Sequence, residues 1–211
     1  MSLKYPFFIS YAHGNCDGYA SELISTFMTE LTKSVGGEAG AYFENSFWID
    51  RRQLGVGDAL NQTLAQAICQ SACFIVVFSP VYKRKPYCLA ELHAALELEK
   101  LRLGRLDKFV PRGKRLVMTI VLRGPEHLPQ ALLEDERIYA DFSSYLMGDT
   151  SLVAHNQKIK EMVATIYDRY EEITRAVGQG IDVCGDCEHF DLKLRPVTDT
   201  VAGFPYREGS K

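Results

Sequence analysis

The sequence lacks a strong net charge of either sign. Its 211 residues include 24 Lys and Arg against 27 Asp and Glu, which gives a formal net charge of −3. A general nucleic-acid binder needs a strongly basic surface to neutralise the phosphate backbone. We therefore expect no nucleic acid among the partners of this chain.

Long apolar runs are also absent. One of the longest, Cys73–Phe78, has six residues, whereas a helix needs about 20 apolar residues to cross a bilayer. The first residues, MSLKYPFFISYAHG, lack the extended apolar core of a signal peptide. We expect a soluble cytoplasmic protein with no membrane partner.

Cysteine is sparse, with six residues scattered through the chain and most of them inside apolar segments. This distribution favours reduced thiols over a disulfide framework. We expect Cys69, Cys73 and Cys88 to be small core residues. The segment 184–187, CGDC, has His189 close by and could begin a zinc site, but a structural site requires four ligands. No metal site is therefore predicted.

Apolar residues make up 46% of the sequence, which is enough for a sizeable core. Short apolar runs predict buried strands at 6–10, 47–49, 73–78, 115–122 and 138–142. Helical spacing predicts helices at 18–33 (closed by Gly36 and Gly37), about 59–70, after Pro86, and about 152–177. Strands that alternate with helices indicate an α/β fold, an open parallel sheet with helices on both faces.

The periodic pattern weakens from Gly178 onward, where glycine and proline recur without a clear period. We predict one domain over residues 1–177. Residues 178–211 are expected to form a C-terminal extension whose role the sequence does not indicate.

Polar residues cluster where ligands bind in such sheets, beyond the carboxyl ends of the strands. Those ends carry Ser10–His13 after the first strand, 50–58 after the second, and Ser79 after the third. Glu91 lies in the opening turns of the next helix and should face the same edge. On the residues alone, Glu91 is either a charge at the margin of the core, favoured by the helix dipole, or a group held for chemistry.

The segment 55–60, GVGDAL, offers a second possible nucleotide motif. It has the first two glycines of a dinucleotide fingerprint, but Leu60 occupies the third glycine position. The segment also follows its strand at a distance of several residues. The Rossmann interpretation therefore fails.

Three stretches resemble successive conserved boxes of the TIR (Toll/interleukin-1 receptor) domain. They read FFISYAHGN, FWIDRRQLGVGDAL and FIVVFSPVYKRKPYCLAEL, in the order and strand context of that family. The resemblance covers about residues 5–170. It implies a flavodoxin-like sheet of five parallel strands.

The resemblance also implies a role for Glu91. Many TIR domains outside the animal receptors cleave NAD+, and their catalytic Glu lies four positions after an aromatic residue, usually Trp. Tyr87 and Glu91 have that spacing here, with Tyr in place of Trp. NAD+ is then the substrate, and no cofactor is expected.

Further site residues are implied by the same resemblance. The substrate-binding positions would be Tyr11, Ala12, His13, Phe47, Asp50, Gly55, Ser79 and Tyr87. Ala12 departs from the basic residue that the family often has there. Trp48, inside a buried strand, is expected to pack in the core.

The function implied is that of an NAD+ glycohydrolase or ADP-ribosyl cyclase in bacterial anti-phage defence. Such an enzyme either makes an ADP-ribose-derived signal for a separate effector or depletes NAD+. Self-association through TIR–TIR contacts, involving the loop Arg51–Asp58, would control its activity. The alternative is a non-enzymatic adaptor that acts through TIR–TIR assembly, which the Tyr87–Glu91 spacing disfavours.

Overall fold

A computed structural model describes residues 3–12, 19–40, 47–49, 60–111, 113–133, 139–146 and 155–184. The strands are β1 (Tyr5–Tyr11), β2 (Trp48–Ile49), β3 (Ser71–Phe78), β4 (Val117–Val121) and β5 (Tyr139–Asp141). The helices are α1 (Tyr19–Ala39), α2 (Leu60–Gln70), α3 (Pro86–Arg105), α4 (Ser143–Leu146) and α5 (Asn156–Gly178). Short 3₁₀ turns span Tyr82–Arg84, Pro125–His127 and Gln130–Leu132.

The strands form one parallel sheet in the order β2-β1-β3-β4-β5. This is the flavodoxin-like order, in which the chain moves outward from β1 to β2 and then returns to β3 on its other side. The prediction of an α/β fold with a parallel sheet is confirmed. The point at which the order reverses lies between β1 and β3.

Alternate residues of the central strands feed two separate cores, because successive strand side chains point to opposite faces. In β1, Phe7 and Ile9 belong to the core under α1 and α5. Phe8 belongs to the core under α2 and α3, as does Ala12, which directly follows β1. Both faces are apolar, which explains the near-continuous apolar runs in the sequence.

Helix α1 extends beyond its predicted end. Gly36 and Gly37 were expected to close it, but the helix continues to Ala39, and the amide of Gly40 donates to the Gly36 carbonyl at 2.9 Å. Each glycine costs about 1 kcal/mol inside a helix. Burial of Val35 and Ala39 in the core offsets that cost, so packing overrides the local breaker signal.

Two charged side chains on α3 form hydrogen bonds with backbone groups at the edge of the sheet where the strands begin. This edge is called here the N-terminal edge. Arg102 donates to the carbonyls of Ser71 at 2.5 Å and Cys69 at 2.6 Å, which lie at the end of α2 and the start of β3. A cation there satisfies carbonyls that the helix leaves open. Glu99 accepts the amides of Leu116 and Val117 at 2.6 and 2.7 Å, at the start of β4.

The chain beyond α5 packs against this edge. Asp182 pairs with Arg105 at 3.0 Å, and Val183 and Cys184 are buried. The Cys184 thiol lies 3.2 Å from a guanidinium nitrogen of Arg102 and donates to the Cys69 carbonyl at 3.2 Å. The first residues of the predicted extension therefore contribute to the core.

The expectation of reduced thiols needs one correction. Cys69 is disulfide-bonded. Cys73, Cys88 and Cys184 are free and buried. The spacing of the cysteines along the chain gave no sign of this bond. None of the described helices is long and apolar enough to cross a membrane.

Candidate active site

The site lies at the opposite edge of the sheet, where β1 and β3 end, called here the C-terminal edge. After β3, the Ser79 carbonyl accepts the Tyr82 amide at 2.8 Å, which begins a 3₁₀ turn. Lys85 is extended and Pro86 occupies the first turn of α3, the position where proline favours a helix start. This short connection places the first turns of α3 next to the ends of β1 and β3.

Glu91 is the buried carboxylate of this edge. It lies in the second turn of α3, on the side that packs against β1, and it is 1% exposed. Its neighbours on the helix include Cys88, Leu92 and Ala95, all in the apolar core. Because a carboxylate loses favourable hydration on burial, this position requires compensation by hydrogen bonds.

A chain of hydroxyl groups provides part of that compensation. Ser10, near the end of β1, donates its hydroxyl to Glu91 Oε2 at 2.5 Å. The phenol of Tyr82 lies 2.8 Å from Ser10 Oγ and donates to the Cys88 carbonyl at 2.9 Å. Ser10 and Tyr82 are both fully buried. The geometry therefore joins β1, the 3₁₀ turn and α3 through side-chain oxygens.

A thiol contact also joins α3 to β1. The Cys88 thiol donates to the Tyr11 carbonyl at 3.5 Å. Ala12, Tyr82 and Cys88 share one apolar cluster beside Glu91. Apolar surroundings lower the local dielectric, so a carboxylate charge there acts more strongly on a nearby cation than it would in water.

Several residues predicted from the sequence lie together at this edge. Ala12 follows β1, Ser79 follows β3, and both are buried. Tyr87 is half-buried and lies one helical turn before Glu91. The structure thus brings Glu91, Ala12, Ser79 and Tyr87 to one region.

Two other predicted residues have side chains on the opposite face of the sheet. Tyr11 packs in the core under α1 and α5, so its backbone carbonyl, and not its ring, meets the Glu91 region. Phe47 stacks on Phe7 in the same core, with ring centroids 4.6 Å apart. The remaining predicted residues, His13, Asp50 and Gly55, lie outside the described residues.

Sequence reasoning assigned no role to Ser10 or Tyr82. A usable signal existed for Ser10, because a small polar residue in a strand buried on both faces requires a hydrogen-bond partner. Its alternation with Phe8 and Ala12 places it on the face of α3. Tyr82 gave no such signal, because tyrosine is intermediate in its tendency to be buried.

Burial shifts the pKa of some titratable groups among the described residues. Burial raises the pKa of the Cys73 thiol to about 12, so it stays protonated at neutral pH. Partial burial lowers the pKa of Lys83, in the 3₁₀ turn before α3, from its ordinary value of 10.5.

The described part of the chain contains no group of three or more His, Cys, Asp or Glu able to hold a metal ion.

The loop after β4 completes the edge. Gly124 has a φ of +68°, a left-handed conformation that disfavours side chains. A Cβ there would lie 3.0 Å from the Pro80 ring, so glycine allows the loop after β4 to approach the loop after β3 closely.

The comparisons with known proteins agree with this architecture. A family model described as the TIR domain matches residues 7–155, which is more than half of the chain. The match begins inside β1 and includes the whole Ser10–Tyr82–Glu91 arrangement. The comparison with curated proteins finds no match.

Proposed function

The chain belongs to the TIR domain family, and from this premise we propose that it is an enzyme that cleaves the nicotinamide–ribose bond of NAD+. Glu91 is the catalytic carboxylate in this proposal. The observation that carries it is the placement of a buried carboxylate at the C-terminal edge, beside the point where the strand order reverses. Open α/β sheets bind their ligands in the crevice at that point.

The chemistry suits a single carboxylate. When nicotinamide leaves with the electron pair of the broken bond, the ribose develops positive charge at its anomeric carbon. A nearby carboxylate stabilises that charge, as in glycoside hydrolysis. An acceptor then forms a bond to that carbon: water, which loses a proton, or a nucleophilic group such as the adenine of the same molecule. Nicotinamide leaves as a neutral group without needing a proton, so no second acid is required. The apolar residues around Glu91 exclude water and strengthen its field on the sugar.

The neighbouring residues have assigned roles in this proposal. The ring of Tyr87, half-buried one turn before Glu91, stacks on the substrate. Ala12 and Ser79 line the crevice at the ends of β1 and β3. Tyr11 contributes through its backbone, given that its ring packs on the other face. His13, Asp50 and Gly55 remain proposed contacts at the mouth of the site, whereas the Phe47 ring packs on Phe7 in the core under α1 and α5 and is not proposed as a contact.

The biological setting is part of the proposal. We infer a role in bacterial defence, in which cleavage of NAD+ either yields an ADP-ribose-derived signal for a separate effector or depletes the nucleotide. TIR–TIR self-association, with the loop Arg51–Asp58 at the contact, would control the activity. An open head-to-tail contact of this kind permits filaments as well as closed oligomers.

The test is incubation of purified protein with NAD+ and identification of products by mass spectrometry. We expect release of nicotinamide from wild-type protein and none from Glu91→Gln. The matched control is Glu97→Gln, on the same helix, whose side chain is 61% exposed and lies 3.7 Å from His93. The control should match wild type. Nicotinamide release by Glu91→Gln at the wild-type rate would overturn the assignment, and an inactive wild type at all concentrations would favour the adaptor.

A further inference from the structure

Ser10 and Tyr82 form a chain of hydroxyl groups that ends at Glu91. The number of hydroxyl hydrogens determines which group donates each hydrogen bond in this chain. A serine hydroxyl has a single hydrogen. Ser10 uses that hydrogen on Glu91 Oε2 at 2.5 Å, so its 2.8 Å contact with Tyr82 requires the phenol to donate. The phenol also has one hydrogen, and it shares this between Ser10 Oγ and the Cys88 carbonyl at 2.9 Å.

We propose that Ser10 is a positioning residue for Glu91 and that Tyr82 acts through Ser10. This inference rests on the proposed function of Glu91 as the catalytic carboxylate. Ser10 fixes the carboxylate in one rotamer and stabilises its ionised form, which is the form that stabilises a developing cation. Tyr82 keeps the Ser10 hydrogen turned toward Glu91, because it occupies the other side of the serine oxygen.

Three rigid elements hold this arrangement. Ser10 is in β1, where it pairs in register with Val76 of the adjacent strand. Tyr82 is in the 3₁₀ turn and is fully buried. Glu91 is in α3. A site built on strands and helices keeps its geometry better than one on loops, so loss of one hydroxyl should affect orientation more than folding.

Substrate affinity and turnover should respond differently to loss of the serine hydroxyl. The hydroxyl is fully buried and contacts Glu91, so we expect no contact with the substrate, and Ser10→Ala should leave KM within about twofold. Turnover should fall about tenfold, because a hydrogen bond to a charged group that acts in the transition state is lost. The acidic limb of the pH–activity profile should move to higher pH, since the ionised carboxylate loses a donor.

The matched control is Ser71→Ala at the N-terminal edge. Ser71 is also buried in a central strand, and its hydroxyl donates to the Ala67 carbonyl at 2.7 Å. This variant should retain the wild-type turnover and pH profile. Tyr82→Phe, which preserves the ring, should lower turnover about threefold. In a Ser10→Ala background Tyr82→Phe should have no further effect, because Tyr82 acts through Ser10.

A second readout does not depend on activity. Protein labelled with ¹³C at glutamate carboxyl groups gives a Glu91 resonance, identified by its loss in Glu91→Gln. That resonance should titrate at higher pH in Ser10→Ala than in wild type and in Ser71→Ala. If Ser10→Ala is less stable than Ser71→Ala, Tyr82→Phe provides the same comparison with the core volume nearly intact.

The outcomes separate the two proposals. Wild-type protein that releases no nicotinamide overturns the proposed function, and the positioning role falls with it. An active wild type whose Ser10→Ala variant has unchanged turnover and an unshifted Glu91 titration overturns the positioning role alone. An active wild type with the expected fall in turnover, shifted titration and unaffected Ser71→Ala supports both.

Discussion

Helix α3 buries two carboxylates, and the two ends of the helix use them differently. Glu99, toward the N-terminal edge, accepts two backbone amides of the β4 start. Glu91, at the C-terminal edge, accepts the side-chain hydroxyl of Ser10. Backbone amides are present whatever the sequence and require a hydrogen-bond partner when they are buried. Glu99 therefore satisfies two amides that the fold would otherwise leave without an acceptor at the start of β4.

The pair of Glu91 and Ser10 is a different case. Replacing both partners of a buried side-chain hydrogen bond by apolar groups of similar shape is often nearly neutral for stability. A fold that needed only a packed core at this edge could therefore do without the pair. The difference supports the proposal that the N-terminal edge serves stability and the C-terminal edge serves chemistry. Each prediction below tests this contrast.

The largest expected effect is on turnover at the C-terminal edge. Glu91→Gln removes the negative charge while keeping nearly the same shape, so we expect nicotinamide release to fall by about a thousandfold or more. The free energy of unfolding should change by less than about 1 kcal/mol. Product assays and urea unfolding of the same preparations measure the two quantities. A large loss of stability with retained activity would reverse the contrast.

The same substitution at the other end of α3 should have the reverse result. Glu99→Gln weakens two charge-assisted bonds to the amides of Leu116 and Val117. We expect a loss of about 2 kcal/mol in the free energy of unfolding, with activity per folded molecule within about twofold of wild type. Urea unfolding and single-concentration assays measure this. Unaltered stability would show that the β4 start does not depend on Glu99.

An intermediate effect is expected for the aromatic ring beside the carboxylate. Tyr87→Ala should lower kcat/KM about tenfold through lost stacking, since ring contacts contribute about 1–1.5 kcal/mol. Tyr87→Trp should match wild type. Steady-state kinetics of both variants test this. Equal losses in the two would mean that the phenol hydroxyl, and not the ring, makes the contact.

A smaller effect is expected from assembly. Specific activity should rise with protein concentration if TIR–TIR contacts hold the loop Arg51–Asp58 in a competent arrangement. Leu54→Glu should lower both association and specific activity by several-fold at concentrations where wild type associates. Activity assays and light scattering over the same concentration series test this. A strictly monomeric protein with constant specific activity would exclude the idea.

The smallest effect concerns another carboxylate at the C-terminal edge. Bonds from Ser143, chiefly its backbone amide at 2.8 Å, lower the pKa of Asp141 from its ordinary value of 3.8. The charged form is favoured in the folded state, so this stabilisation is present above pH 3.8 and is lost as pH falls through the lowered pKa. Wild type and Asp141→Asn should differ in Tm at neutral pH and converge in acid. A constant difference would exclude this linkage.

The sequence predicted the central strands well because both faces of the sheet are covered. Residues 73–78 of β3 are all buried, so the run is apolar without interruption. The end of α1 was predicted wrongly because the glycine signal is local, whereas burial of Val35 and Ala39 depends on the packed core. The Cys69 disulfide was not predicted, because the spacing of cysteines along the chain does not show which of them meet in the fold.

The candidate site likewise has features that the sequence predicted and features that it did not. Glu91, Tyr87, Ala12 and Ser79 lie at the edge expected from strand ends and the family motif, because chain order fixes which edge a residue following a parallel strand occupies. The ring directions of Tyr11 and Phe47 were not foreseen. A residue at the end of a strand reaches one face only, and a shift of one position reverses that face.

The sequence by itself therefore determined the order of strands and helices, the family, and the edge at which Glu91 lies. Only the tertiary structure decided which groups meet that carboxylate. Ser10 is 81 residues from Glu91 and 72 from Tyr82 along the chain. Local patterns act over a few residues, whereas these contacts depend on the register between β1 and β3 and on the packing of α3 against both strands.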